Sequence, residues 1–162
     1  MGICHKTTRS RSIHTDIDLQ NATFKNTPKY LPNITSCRVL KVYDGDSITI
    51  ASRIENKIWK WSVRLNGIDT PEIRSKDEYE KTIADIAKKQ LENILMPFGV
   101  SSMIQIKVLS YGKYGRLLAE IYKDDVHINK LMLDKRLAVP YDGGTKQNIA
   151  WYAYYNGSIN LY

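Results

Sequence analysis

At 162 residues the chain has the length of one ordinary domain. Apolar residues make up 43% and charged residues 25%, enough for one real core and against a disordered chain. No apolar run approaches the ~18 residues of a membrane span. With 24 Lys and Arg against 17 Asp and Glu, the net charge is +7. That balance favours a polyanionic partner, nucleic acid ahead of an anionic membrane, although a plain basic surface also fits it.

Residues 1–35 are rich in Thr, Ser, Asn and basic side chains, show no periodicity, and carry +3 of the +7. They read as a flexible basic tail, followed by a domain over 36–156 and a C-terminal end over 157–162. No apolar segment of signal-peptide type follows Met1, so an intracellular, cytoplasmic protein is expected. Cys4 and Cys37 are too few for a disulfide framework, and the three histidines have no zinc spacing. Met1-Gly2 with Cys4 is similar to the start of a dual-acylation signal. Lys6 stands where that pattern needs Ser or Thr, so an untethered tail is expected. Weak membrane attachment through Gly2 and Cys4 is the alternative.

From residue 36 the pattern changes. Two β-branched runs, 37–43 and 47–51, flank Asp44-Gly45-Asp46 and predict two strands joined by a turn. A third strand is predicted over 58–65. Trp59, Trp61, Val63 and Leu65 share one face, so Arg64 points the other way. Gly67 and Pro71 then bracket an acidic loop that contains Asp69, Thr70 and Glu72. Ser75 and Glu78 have capping-box spacing, which predicts a helix carrying Ile83, Ile86, Ala87, Leu91, Ile94 and Leu95, stopped by Pro97 and Gly99.

Two more strands follow, 103–109 and 116–122, then a helix over 126–136 with Ile128, Leu131 and Met132 as its buried stripe. Pro140-Tyr141-Asp142-Gly143-Gly144-Thr145-Lys146 reads as the end of the domain rather than as a wall of a cleft. The aromatic segment from Trp151 to Tyr155 predicts a short helix whose rings are core rather than base-stacking platforms. The order is three strands, helix, two strands, helix. It predicts a mainly β, α+β fold: a five-stranded OB-type barrel with a helix between strands three and four and a further C-terminal helix.

The chemistry-bearing residues are Asp46, Asp69, Glu72, Arg64 and Arg116. Carboxylates in loops at strand ends converge on hard cations, and calcium tolerates irregular oxygen shells. An Asp beside a Gly also serves a turn, and Glu72 alone reads as a solvated residue near a helix start. Guanidinium forks bind phosphate oxygens bidentately and suit the charged state of phosphodiester hydrolysis.

Three motifs together resemble the staphylococcal nuclease-like (thermonuclease) family. They are Asp44-Gly45-Asp46-Ser47, then Val63-Arg64-Leu65-Asn66-Gly67-Ile68-Asp69-Thr70-Pro71-Glu72, then Lys113-Tyr114-Gly115-Arg116-Leu117-Leu118-Ala119. The resemblance covers about 36–141. It implies calcium held by Asp46, Asp69 and the Thr70 carbonyl, with Glu72 as general base or orienter of the attacking water. Arg64 and Arg116 would stabilise the transition state, and Arg116 would assist the leaving 5′-oxygen. Lys113, Tyr114 and Tyr141 would contact the nucleotide. The implied activity is calcium-dependent hydrolysis of DNA and RNA with little sequence preference, on the 5′-oxygen side, preferring single-stranded or locally melted substrate. A monomer is expected. The rival reading is a non-catalytic nucleic-acid-binding OB module, in which these acids and arginines are lost. In this chain Ser47 stands where the family usually has Thr, and the loop after Glu72 is short.

Overall fold

The computed structural model describes residues 19–161. Gly2, Cys4 and Lys6, on which the acylation expectation rests, lie outside the described residues, as does most of the expected tail. The chain divides into two units, 1–30 and 31–162. In the first, residues 19–30 are exposed and make a local turn. Thr23 and Asn26 exchange bonds there: the Thr23 amide donates to the Asn26 side chain at 2.6 Å and the Asn26 amide to Thr23 Oγ1 at 3.2 Å.

In the second unit, β1 (Ser36–Val42), β2 (Ser47–Ile54) and β3 (Lys57–Leu65) form an antiparallel meander. The β2–β3 turn places Glu55 and Asn56 both at positive φ, the geometry that matches the strands' twist. After the two-residue β4 (Ile68–Asp69) comes helix α1 (Glu78–Leu95). Then β5 (Met103–Tyr111) and β6 (Leu117–Lys123) pair antiparallel, β5 lies beside β1, and β6 pairs parallel with β3. That last pairing closes five strands into a mixed barrel, with α1 between the third and fourth, as the sequence predicts.

The core is what the strand alternation dictates. Val39, Ile50, Val63, Leu65, Leu117, Ala119 and Ile121 point inward and are fully buried, and α1 adds Ala87, Leu91 and Leu95. Trp59 departs from the alternation. It shares the apolar face of β3 but lies at the barrel's end and is half exposed.

Cys37 is 1% exposed on the inner face of β1, and burial pushes its thiol up to about 12. It should therefore resist iodoacetamide at pH 8 in the folded protein and react once unfolded. Peptide mapping by mass spectrometry checks this, and rapid labelling of folded Cys37 would contradict the packing.

Three local expectations shift. The helix cap is Asp77, whose side chain accepts from the Tyr79 amide, while Ser75 Oγ accepts from the Asp77 amide at 3.1 Å. Asp77 and Glu80 have the same three-residue spacing as Ser75 and Glu78. Glu80 uses its carboxylate on the Glu72 amide instead, at 3.0 Å, which ties the helix start to the acidic loop. The helix expected over 126–136 is shorter. Asp124 and Asp125 both adopt positive φ and turn the chain into β7 (Val126–His127) against β6, so α2 spans Ile128–Asp134.

The third change is the largest. β8 (Val139–Pro140) pairs antiparallel with β4, Asp69 opposite Val139. The Tyr141 amide then donates to the Gly67 carbonyl at 3.0 Å. The segment after Pro140 is therefore strapped to the acidic loop rather than trailing from the domain. Helix α3 (Trp151–Tyr155) follows, with Trp151 and Tyr154 in the core and the Tyr152 ring 5.4 Å from that of Tyr79 on α1. Beyond it, the Arg136 guanidinium donates to the Ile159 carbonyl at 3.0 Å. Among the described residues, no helix is long and apolar enough to cross a membrane.

Candidate active site

A cleft of about 700 Å³ opens where the β1–β2 turn, the acidic loop, the β5–β6 turn and the segment after β8 meet. Gly45 permits the close approach of the first of these: a Cβ there would stand 2.9 Å from the Ala87 Cβ and 3.0 Å from the Thr70 methyl. Asp44 serves the turn by accepting the Asp46 amide at 3.1 Å, which leaves the Asp46 side chain for the cleft.

Arg64 organises the acids. Its Nη1 donates to Asp46 Oδ1 at 2.9 Å and its Nη2 lies 2.8 Å from Asp46 Oδ2, a two-pronged grip. The same Nη2 lies 2.8 Å from Asp69 Oδ1. One guanidinium thus gathers carboxylates from two loops. Ser47 Oγ adds a bond to Asp46 Oδ1 at 2.8 Å. Burial pushes the Asp46 carboxyl up to about 7, against the pull of Arg64. Burial also opposes the Arg64 charge, but Asp46 and then Asp69 outweigh it and hold the guanidinium's pKa above its ordinary value.

Glu72 stands at the rim, its side chain about 60% exposed. Arg116 reaches in from the start of β6, its Nη1 3.4 Å from Ser47 Oγ, and forms no ion pair among the described residues. Lys113 and Tyr114 belong to the tight turn before it. Tyr114 sits at φ +61 with a nearly fully exposed ring, and Gly115 follows at φ +72. A bulky residue held in the left-handed region is constrained by the turn around it, and here that turn lines the cleft. Tyr141 turns its ring toward Arg64, whose guanidinium carbon is 5.8 Å from the centroid.

The structure brings eight of the nine expected site residues to the cleft lining: Asp46, Arg64, Thr70, Glu72, Lys113, Tyr114, Arg116 and Tyr141. The ninth, Asp69, faces it through its contacts with Arg64 and with Lys146. The Pro140–Lys146 stretch, expected only to end the domain, forms one wall. Tyr141, Asp142, Gly143 and Lys146 all line the cleft.

Sequence reasoning missed two residues. Lys146 Nζ lies 3.0 Å from Asp69 Oδ1 and bonds the Glu72 carboxylate directly. Burial opposes its charge, but Glu72 and Asp69 raise its pKa. Nothing local marks Lys146, because its partners lie more than seventy positions away. Asn129 is 3% exposed on α2. It accepts from the Ile121 amide at 3.1 Å and donates to the carbonyls of Asn66 (2.9 Å) and Ala119 (3.1 Å). It thereby pins the strand end that leads into the acidic loop. Asn129→Leu strands the Ile121 amide and the Asn66 carbonyl, while the Ala119 carbonyl keeps the Asn66 amide at 2.8 Å, so a loss of about 2 kcal/mol is expected. Chemical denaturation measures it, and an unchanged midpoint would remove Asn129 from the scaffold.

For a divalent cation, the cleft offers two carboxylates, Asp46 and Asp69, both held by Arg64. Among the described residues, no group of three or more His, Cys, Asp or Glu could hold a metal by itself. Two hard-oxygen acids are donors of the kind calcium takes, and water would have to supply the rest of its shell.

An OB-type barrel with an acid-and-arginine cleft between its β1–β2 turn, the acidic loop and the β5–β6 turn defines a nuclease-like or nucleic-acid-binding class of domain. A family model described as staphylococcal nuclease homologue matches residues 62–155, more than half of the chain, and the chain belongs to that family. The match begins after the Asp44–Ser47 turn, so Asp46 joins the site by geometry alone. A search of the curated proteins finds no match.

Proposed function

We propose that the protein is a calcium-dependent nuclease that hydrolyses phosphodiester bonds of DNA and RNA with little sequence preference, acting as a monomer inside the cell. The observation that carries this reading is the Arg64 fork, which holds Asp46 and Asp69 together in a cleft also lined by Glu72 and Arg116. A purely binding module has no need to bury paired acids beside the groove meant for a polyanion.

Asp46, Asp69 and the Thr70 carbonyl would hold calcium, which when bound supplies Lewis-acid charge against the phosphate. Glu72 at the rim aligns the attacking water and accepts its proton. Arg64 and Arg116 hold phosphate oxygens and gain most as negative charge grows. Arg116 would assist the leaving 5′-oxygen. Lys113, Tyr114 and Tyr141 orient the nucleotide. The rival, a non-catalytic binder, is favoured by one observation: Lys146 already neutralises Asp69 and Glu72.

Cleavage of single-stranded DNA with calcium and with excess chelator decides between them. Cleavage abolished by chelator with the fold retained supports the nuclease, and absence of cleavage in both supports the binder. Calcium titration of Lys146→Met adds an independent check. Removing a cation that competes for Asp69 should tighten calcium binding about tenfold, as followed by calorimetry. Unchanged affinity would mean that Lys146 does not compete with the ion.

A further inference from the structure

The β2–β3 ladder runs unbroken from Ser47 opposite Arg64 to Ile54 opposite Lys57. Beyond Ser52 it leaves the core: from Arg53 to Lys60 no residue of the hairpin is buried. Ile58 is 67% and Trp59 50% exposed, and neither belongs to the core or to the side chains packed on it. Successive strand residues point to opposite faces, so each face of this tip shows one large apolar side chain. Arg53 pairs with Ile58 across one face, and Ser52 with Trp59 and Ile54 with Lys57 across the other.

The tip is also basic. Arg53, Lys57 and Lys60 are exposed, with Glu55 as the one acid among them. Among the described residues, none of these three cations enters an ion pair. The turn is braced, since Arg53 Nη1 donates to the Asn56 carbonyl at 3.3 Å. It is remote from the cleft as well. Asp46 precedes β2 and the tip follows it, and Ser47 and Ile54 stand about 23 Å apart at the rise of a strand.

β6 pairs with β3 only over Val63–Leu65, so the outer edge of Lys57–Ser62 is unpaired. Lysines on such an edge guard it against another strand, whereas exposed Ile and Trp beside them do the reverse. A second copy added along this edge would bring Lys57 and Lys60 against the same cations. A polynucleotide would answer the cations but leave Ile58 in water. An anionic bilayer answers both, because its interface takes Trp and aliphatic side chains while its headgroups take Lys and Arg. The net charge of +7 draws the chain to such a surface.

We propose that the tip of the β2–β3 hairpin docks on an anionic lipid bilayer. Trp59 and Ile58 enter the interface, and Arg53, Lys57 and Lys60 pair with the headgroups. The cleft, at the other end of β2, then faces away from the lipid. The inference does not rest on the nuclease reading.

The test uses the full chain carrying no lipid, with vesicles of equal parts phosphatidylserine and phosphatidylcholine. Sedimentation measures binding, and circular dichroism confirms the fold of each variant. Of the three tryptophans, Trp61 is half-buried and Trp151 is buried, so Trp59 reports the tip. Vesicles should shift the wild-type emission to the blue, brominated lipid should quench it, and Trp59→Phe should abolish both changes. The folded double variant Ile58→Ser, Trp59→Ser should bind at least tenfold more weakly, on the scale of apolar burial at an interface. Arg53→Gln, Lys57→Gln, Lys60→Gln should bind at least ~30-fold more weakly, since each cation near an anionic leaflet contributes about fivefold. Unchanged vesicle binding in either folded variant would overturn the proposal, as would wild-type emission that vesicles leave unmoved. Wild-type protein that ignores vesicles, but binds duplex DNA through these five residues, would overturn it too and assign the tip to nucleic acid.

Discussion

Glu72→Gln is expected to lower turnover on single-stranded DNA by at least ~100-fold, within the range that positioned acid–base groups supply. The substitution keeps the side chain's size and removes its charge and basicity. Little else should change. Glu72 is exposed at the cleft rim, and its backbone is held by Glu80 rather than by its own carboxylate. Its ion pair with Lys146 is solvent-exposed, and such pairs contribute 0–1 kcal/mol. The melting temperature and oligonucleotide affinity should therefore stay near those of the wild type. A folded Glu72→Gln enzyme that cleaves at the wild-type rate would remove Glu72 from the mechanism, and Lys146 would then have no base to hold.

The second large effect separates the two arginines. Arg64→Lys and Arg116→Lys should each reduce turnover by at least ~100-fold, the scale of losing one preorganised donor to the transition state. Lysine keeps the charge but cannot reproduce a planar fork. The structure makes their stability effects diverge. Arg64 grips Asp46 with both terminal nitrogens and bridges to Asp69, and its side chain is 16% exposed against 3% and 8% for those acids. Lysine cannot satisfy all of these oxygens, and breaking a buried pair costs about 3–5 kcal/mol when a partner is removed outright. Arg64→Lys should thus lower the melting temperature clearly in the absence of calcium. Among the described residues the Arg116 side chain makes one hydrogen bond, to Ser47 Oγ at 3.4 Å, and Arg116→Lys should leave the melting temperature almost unmoved. Turnover, melting temperature and affinity measured on the same preparations decide this. Normal turnover in a destabilised Arg64→Lys would confine that arginine to holding the acids together.

Much of the site was legible in the residues themselves. Asp44-Gly45-Asp46 announces a turn with a spare carboxylate, and Asp44 does take the turn bond while Asp46 faces the cleft. The alternation of β3 places Arg64 opposite the core face, and the same alternation buries Val63 and Leu65. The strands expected over 103–109 and 116–122 leave 110–115 as their link, and Lys113–Gly115 form a tight turn there. The helix start was less legible. Two cap pairs with equal spacing stand two residues apart, and only the position of the Glu72 amide decides where Glu80 bonds.

Strand alternation, helical spacing and turn chemistry are local properties. They determined the succession of elements, the barrel class, the acidic loops and the faces on which Arg64 and the core residues lie. The tertiary structure alone decided which distant segments share the cleft. Pairing of β4 with β8 straps the 140s to the acidic loop, so Tyr141 meets Arg64 and Lys146 meets Asp69 and Glu72. Asn129 reaches from α2 to the Asn66 carbonyl, 63 positions away in sequence. Each of these contacts joins residues far apart in sequence, and their juxtaposition depends on closure of the barrel rather than on any pattern within a single segment.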